Sequence, residues 1–246
     1  MDSVALSIII PVYNEKPNIL PSASSLLDEF SEHQDSLEIL FIDDNSPDGT
    51  ANEVNRISDQ YPQVKLVQNG EKEGIGAAHK AGYIASEGKY ILCIDADLSQ
   101  SPNDLLKIKK KLDEGFDLVI GSRYMNEGKQ FGKSPIRDLG SRGMNLICRY
   151  ILGIKLTDCT HTFRGFKREL FEEFSEDINA KGHPSFQVEF SFLISNSRKR
   201  ITEIPIHFTE REETAGVSKI SIRKEVPPFL KTIIRLLKIR LFTSND

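Results

Sequence analysis

Residues 37–50 read LEILFIDDNSPDGT. A short run, apolar except for Glu38, leads without alternation into two carboxylates; a Pro-Asp-Gly turn follows, and Thr50 is placed to cap a helix. Continuous hydrophobicity over so few residues marks a strand covered on both faces, as in a parallel sheet. Short, β-branched-rich runs bounded by turn chemistry recur at Ala5–Pro11 (ALSIIIP), Val64–Gln68, Tyr90–Ile94 (YILCI) and Asp117–Gly121 (DLVIG). Helical patterns fill 17–31, 50–61, 75–86 and 103–115, the last opened by Ser101-Pro102. This alternation predicts an α/β fold with a mostly parallel central sheet and helices on both faces.

In such sheets ligands bind beyond the carboxyl ends of the strands. The first strand ends in Pro11-Val12-Tyr13-Asn14-Glu15, the second in Asp43-Asp44 and the fourth in Asp95-Ala96-Asp97. Two carboxylates one residue apart at a strand end can turn towards one hard cation. Mg²⁺ or Mn²⁺ takes oxygen ligands and shares its shell with substrate phosphates; a plain turn is the alternative. The Asp43-Asp44 pair reads as functional, with Asp44 able to accept hydrogen bonds from a base or ribose, since an ionised carboxylate only accepts, while Ser46–Thr50 read as structural. Gly74-Ile75-Gly76 lacks the third glycine of a dinucleotide loop and follows the third strand, so close helix–strand packing is expected there rather than NAD.

Beyond Ser122 the pattern changes. A loop over Asn126–Ser134 precedes a helix over Arg137–Ile151. A strand at Thr162–Lys167, a helix at Gln187–Asn196, a strand at Ile201–Phe208 and an apolar tail over Glu225–Phe242 follow. The Pro227-Pro228 pair is placed to start the tail helix. The two halves also differ in charge: residues 1–122 carry 10 Lys and Arg against 21 Asp and Glu, net −11, and residues 123–246 carry 22 against 15, net +7. An acidic half can hold a metal, and a basic half can face phosphates or an anionic membrane.

With 246 residues, 39% hydrophobic and 28% charged, the chain is long enough for a sizeable core, and collagen-like, disordered and disulfide-scaffold classes are excluded. Cys93, Cys148 and Cys159 form no CxxC pair, which points to a reducing compartment and away from a thiolate zinc site. The five histidines lack zinc-enzyme spacing; His161, in a polar stretch, stays a candidate. No signal-peptide pattern and no run of roughly 18–20 apolar residues is present, so no membrane span is expected.

Eight motifs stand in order: IIIPVYNEKPNI, LFIDDNSPDGT, DADLSQSP, GSRY, RDLGSRGMN, DCTHTFRGFKREL, FQVEF and EIPIHF. In these the chain resembles the family 2 glycosyltransferases of GT-A (Rossmann-like) fold, and within them the dolichol- and polyprenyl-phosphate branch, over about residues 5–222. The resemblance implies a glycosyltransferase domain over 1–222, with a nucleotide and metal half (1–122) and an acceptor half (123–222). Residues 223–246 would then form a basic amphipathic C-terminal helix. It implies that Pro11, Tyr13, Glu15, Ile42 and Asp44 contact the donor nucleotide, that Asp95 and Asp97 bind Mg²⁺ or Mn²⁺, and that Ala96 lies between them against the donor. Ser99 stands where some relatives carry a metal-binding Gln, and Gln100 is one position late. Arg123, Arg137 and Ser141 match positions gripping donor and acceptor phosphates, so that Asp97, Arg123, Arg137 and Ser141 form the catalytic set. Arg211 and Lys219 match an Arg…Ser-Lys donor-binding element whose spacing is two residues longer here. Asp158, Thr160, Gln187 and Glu189 match polar positions on the acceptor side, where either acid could orient an arginine, act as a base for a hydroxyl acceptor, or serve in a cap or buried pair.

The physics agrees with these roles. A planar guanidinium binds phosphate bidentately. A phosphomonoester, with a second pKa of about 6, is largely ionised at neutral pH and needs no strong base to attack. Positioning and charge stabilisation should then dominate, with the cation neutralising the departing nucleoside diphosphate and in-line attack inverting the anomeric carbon. The expected reaction moves mannose from GDP-mannose to a dolichyl or undecaprenyl phosphate. The alternatives are a UDP-sugar such as UDP-glucose with the same acceptor, a glycan hydroxyl acceptor, and a non-catalytic nucleotide-sugar-binding subunit that recruits a membrane partner. Expected partners are the nucleotide sugar, the polyprenyl phosphate, a membrane surface reached through the basic tail and a membrane-anchoring subunit, with no nucleic acid. The expected location is cytoplasmic, peripheral on the cytoplasmic membrane face.

Overall fold

The computed structural model describes residues 4–70, 73–132, 135–179, 185–209 and 222–243. Strands β1 (Leu6–Val12), β2 (Leu37–Asp43), β3 (Val64–Gln68) and β4 (Tyr90–Cys93) lie parallel, in the spatial order β3-β2-β1-β4, with Ile8 opposite both Ile39 and Leu92. The sheet continues through β7 (Arg164–Lys167), which is antiparallel to both its neighbours, then β5 (Leu118–Ser122) and β8 (Ile201–Pro205).

Alternating side chains feed two cores, as a period of two requires. Leu6, Ile8, Ile10, Ile39 and Phe41 pack with α1 (Lys16–Glu29), α2 (Thr50–Ser58) and α4 (Pro102–Asp113) on one face. Ile9, Leu40, Ile42 and Ile91 pack on the other with α3 (Ile75–Ala85), α5 (Pro135–Ile151) and α7 (Phe186–Ser195). Within α3 a close approach to the sheet falls at Gly82, where a Cβ would meet Ile9 Cγ2 at 2.5 Å. Only glycine lets α3 seat this deeply.

The expected strand over Ile201–Phe208 is two. β8 stops at Pro205, Ile206 N–H turns to Ser122 O at 3.1 Å, and β9 (His207–Thr209) crosses to pair with β6 (Lys129–Phe131), inside the stretch expected to be loop. Pro205 carries no N–H with which to extend a ladder. Thr162 precedes β7 rather than opening it, and a short helix α6 (Arg168–Phe174) was not foreseen. The tail helix α8 (Ile222–Thr243) begins five residues before Pro227, so the proline pair lies inside it and removes two main-chain donors there. Its inner face compensates: Phe229, Ile233 and Leu236 are buried in the second core, Ser185 and Thr232 hydroxyls bond at 3.1 Å, Arg235 pairs with Glu189, and Arg240 donates to Ile151 O at 2.6 Å. Among the described residues no helix is long and apolar enough to cross a membrane.

Candidate active site

The carboxyl ends of β1, β2 and β4 share one edge of the sheet, and each gives way to a turn with a left-handed residue: Asn14 (φ 55°), Asn45 (59°) and Leu98 (56°). Asparagine visits this region readily; a leucine there costs about 1–3 kcal/mol, which the surrounding contacts must hold in place. Side chains lace the first two turns together. Asn14 N–H donates to Ser46 Oγ at 2.9 Å, Glu15 N–H to Thr50 Oγ1 at 3.1 Å and Lys16 N–H to Asp48 at 3.2 Å. Thr50 is the first helical residue rather than the cap; Asp48 takes its N–H at 3.0 Å. Asp43 accepts from Ser46 N–H and hydroxyl, a structural contact.

Asp44, buried, accepts from Asn69 Nδ2 and Glu73 N–H at Oδ1, both at 3.1 Å, and from Gly74 N–H at Oδ2 at 3.0 Å. Among the described residues these bonds leave one of its four lone-pair sites, on Oδ2, for a ligand. Pro11, Tyr13 and Glu15 are half-buried along the same edge, with Glu15 accepting from Asn18 at 2.6 Å. The Ile42 side chain is enclosed beneath α3, so that position can offer a ligand no more than main chain.

Asp95 and Asp97 leave β4 half-buried, with Ala96 buried between them. Gln100 Nε2 donates to Asp95 Oδ2 at 2.7 Å and Thr162 Oγ1 to Oδ1 at 3.2 Å, while Ser99 N–H donates to Asp97 Oδ1 at 2.9 Å. Burial, and then the negative charge of Asp97, raise the Asp95 pKa above the ordinary carboxylate value. Like charges crowded in this way call for a cation. The donors are hard oxygens with lone pairs to spare, which suits Mg²⁺ or Mn²⁺. Among the described residues no cluster of three or more His, Cys, Asp or Glu exists to close a full protein shell, so phosphate and water would complete it. Gln100 is committed to Asp95; Ser99, buried, has its N–H on Asp97 and its carbonyl on Thr209 N–H.

Across from these carboxylates lies a second constellation. Arg123, at the end of β5, is buried and paired with fully buried Asp158: Nε to Oδ2 at 2.8 Å, Nη2 to Oδ1 at 2.9 Å and main-chain N–H to Oδ2 at 3.2 Å. Nη2 also reaches Ser141 Oγ at 3.4 Å. Among the described residues Nη1 makes no bond, so its two N–H groups remain for an incoming oxyanion. Asn145 ties Asp158 to the Ser141 carbonyl and to Thr160, at 3.1–3.2 Å. Burial would raise the Asp158 pKa, but the adjacent guanidinium outweighs it and holds the carboxyl below its ordinary value. The same pairing raises the Arg123 pKa against its own burial. Arg137 stands one turn before Ser141 on the same side of α5, where Tyr124 OH donates to Asp138 at 3.3 Å. Glu203 accepts from the N–H groups of Thr157 and Asp158 at 2.9–3.0 Å and is raised by burial. Glu189 is taken by Arg235 and Asn179 N–H.

Segment 158–164 joins the two constellations, and sequence reasoning missed most of its work. Arg164 is fully buried, and all five of its N–H groups meet oxygens: the carbonyls of Cys159, His161 (twice) and Gln187, and Ser191 Oγ. His161 donates Nδ1–H to Gly121 O at 2.9 Å; burial and then the Arg123 charge push its pKa down to about 3, so it is neutral and structural. Thr162, Arg164, Asn145 and Glu203 all lie inside the motifs DCTHTFRGF, RDLGSRGMN and EIPIHF, but nothing in the motifs assigned them partners. Arg211 and Lys219 lie outside the described residues.

The "Glycosyl transferase family 2" model matches residues 7–175. A polyprenol monophosphomannose synthase from Mycolicibacterium smegmatis is 32% identical over 219 residues, 87% of this chain and 80% of the relative. An undecaprenyl-phosphate mannosyltransferase from Micrococcus luteus is 35% identical over 217 residues, 87% of this chain and 86% of the relative. Among solved structures, a glucosyl-3-phosphoglycerate synthase from Mycobacterium tuberculosis in complex with Mn²⁺, uridine diphosphate and glucosyl-3-phosphoglycerate superposes with a TM-score of 0.62 at 20% identity, covering 96% of this chain and 79% of that one. A mannosyltransferase from Pyrobaculum calidifontis in complex with GDP-Man and Mn²⁺ gives 0.58 at 20% identity, covering 94% and 64%. These structures share the expected GT-A fold.

Proposed function

The chain belongs to glycosyl transferase family 2 and is a glycosyltransferase, and we propose that it transfers mannose from GDP-mannose to the phosphate of a polyprenyl phosphate, with inversion and with a divalent cation. The mannosyl donor and the lipid acceptor rest on the two relatives, whose names carry both. The observation that favours a phosphate nucleophile over a sugar hydroxyl is the state of the acids on the acceptor side. Asp158, Glu203 and Glu189 each already accept at both oxygens, from buried or main-chain donors and, for Glu189, also from half-buried Arg235. Asp158, with five donors, is spent on holding Arg123, while Glu203 and Glu189 are tied to main-chain N–H groups and to Arg235; this arrangement serves positioning rather than removal of a hydroxyl proton, and an ionised phosphate has no proton that must be removed.

In this reading Asp95 and Asp97 would hold the cation, which would supply charge neutralisation for the leaving nucleoside diphosphate. Asp44 and the β1 edge hold the nucleotide. Arg123 is presented by Asp158 with Nη1 outward, and with Ser141 and Arg137 it grips the acceptor phosphate in line with the anomeric carbon. Arg211 and Lys219 remain proposed donor contacts. A lipid-extraction assay decides: enzyme, Mn²⁺ or Mg²⁺, detergent-dispersed undecaprenyl phosphate, and labelled GDP-mannose or UDP-glucose in parallel. Label from GDP-mannose in the organic phase is the expected result; label from UDP-glucose alone would overturn the donor, and none from either would overturn the acceptor.

A further inference from the structure

Helix α5 has two opposite faces. Arg137, Ser141, Asn145 and Cys148 recur at helical spacing and turn inward to the arginine cluster and the core. Ile136, Leu139, Leu146 and Tyr150 recur at the same spacing about half a turn away, and they face solvent: Ile136 is 75% exposed, Leu139 73% and Tyr150 75%. Gly143 continues this outer stripe with nothing within 4 Å of a would-be Cβ. So many large apolar side chains in one exposed row are not ordinary surface, and they mark an interaction face. Exposed Arg142 and Arg149 flank the row. The neighbouring α8, joined to α5 through Arg240 and Ile151 O, adds exposed Leu230 and Ile234 with Lys231 and Lys238 beside them.

We propose that the outer face of α5 seats the protein on an anionic lipid bilayer. This rests on the polyprenyl-phosphate acceptor proposed above. The chemistry selects a lipid surface rather than a protein groove: aliphatic side chains with one aromatic for the headgroup boundary, bordered by arginines and lysines for anionic headgroups. Position selects it too. The helix that would lie on the bilayer carries Ser141 and Arg137 on its other side, so a phosphate anchored at the membrane surface meets the guanidinium cluster without leaving the interface. The basic tail expected to perform this task turns Phe229, Ile233 and Leu236 into the domain core, but it also exposes Leu230, Ile234, Ile239, Leu241 and Phe242, so α8 adds to the contact that the outer face of α5 makes.

The test is co-sedimentation with phosphatidylglycerol-containing vesicles, comparing the wild type with Leu139→Glu/Leu146→Glu. Both side chains are exposed, so folding is not at risk. The double variant should bind vesicles at least about tenfold more weakly, given the usual value of burying two leucines. Turnover on vesicle-embedded undecaprenyl phosphate should fall likewise, with turnover on dispersed geranyl phosphate unchanged. Arg149→Glu and added salt should each weaken binding. Equal sedimentation of variant and wild type overturns the proposal. So does a wild-type dimer in light scattering that the variant breaks, which would give the face to a second copy. A wild type that binds vesicles through this face yet turns over neither acceptor upholds the surface and overturns the acceptor reading instead.

Discussion

The two sides of the cleft are built on opposite principles. On the donor edge the protein crowds Asp95 against Asp97 and leaves lone pairs open, held by turns whose backbone is itself under strain at Leu98. On the acceptor side the buried charges already have partners among the described residues: Arg123 has Asp158, Asp158 has Asn145, and Glu203 has the Thr157 and Asp158 amides. In the proposed function a cation would complete the first side; the second stands finished and, among the described residues, offers one unused edge of a guanidinium. A site for a mobile ion must stay unsatisfied, whereas a site for a large anchored phosphate gains from being rigid beforehand.

The hardest way to break this contrast is Asp97→Ala. With the proposed cation pair halved, turnover should fall by about 10³-fold or more while the fold persists, since Asp97 takes only one local N–H bond. Turnover within a few-fold of wild type would remove the metal assignment. Asp158→Asn should act in the other sense, through stability. It leaves a buried guanidinium without its counter-charge, at a cost of about 3–5 kcal/mol in denaturant unfolding. Pairing it with Arg123→Met should recover part of that loss. Because the folded Asp158 carboxyl is held below its ordinary value, its contribution is full at neutral pH and is lost as pH falls through that lower folded value. The variant should therefore show a flatter acid limb of stability against pH than the wild type.

The same contrast explains what could be read from the sequence. Short runs bounded by turn residues placed β1 to β5 within a residue or two, and for β1, β2, β4 and β5 burial on both faces leaves no competing pattern. Asp95 and Asp97 were visible because they end such a strand, and Arg123 through the resemblance of its GSRY motif. The saturated side was illegible: Asp158 could have been a base, and only its five donors in three dimensions make it an orienter of Arg123. Thr162 read as the start of a strand, and its bond to Asp95 spans 67 residues. The break at Pro205 and the short β6 were missed because three-residue strands carry too little periodicity to register.

Thr162 gives a smaller and sharper test. Thr162→Val keeps shape and removes the donor that orients Asp95 from the acceptor side. Loss of an outer hydrogen bond to a ligand carboxylate typically weakens metal binding about 10–100-fold, and the lower end is expected because Gln100 still donates. Mn²⁺ titration by electron paramagnetic resonance, with GDP present, would show it, and Thr162→Ser should restore affinity. A valine variant that binds Mn²⁺ as the wild type does would confine Thr162 to packing.

The smallest expected effect bears most directly on the idea that the donor edge is left incomplete. Asp95→Asn removes one of two crowded negative charges and can keep every local contact: Gln100 Nε2 still donates to the amide oxygen, and the Thr162 hydroxyl rotates to accept from the new NH₂. In chelator the variant should therefore be more stable than the wild type, by about 1 kcal/mol or roughly 2–4 °C in Tm for a chain of this size. With Mn²⁺ at about 100 times its Kd the order should reverse, because binding adds about 2.7 kcal/mol to the wild type and little to a variant that holds the ion poorly. Scanning calorimetry of both proteins, with and without metal, gives the four Tm values needed. A variant less stable than the wild type in chelator would mean that Asp95 is a structural acceptor, satisfied without a cation, and the difference between the two sides of the cleft would disappear.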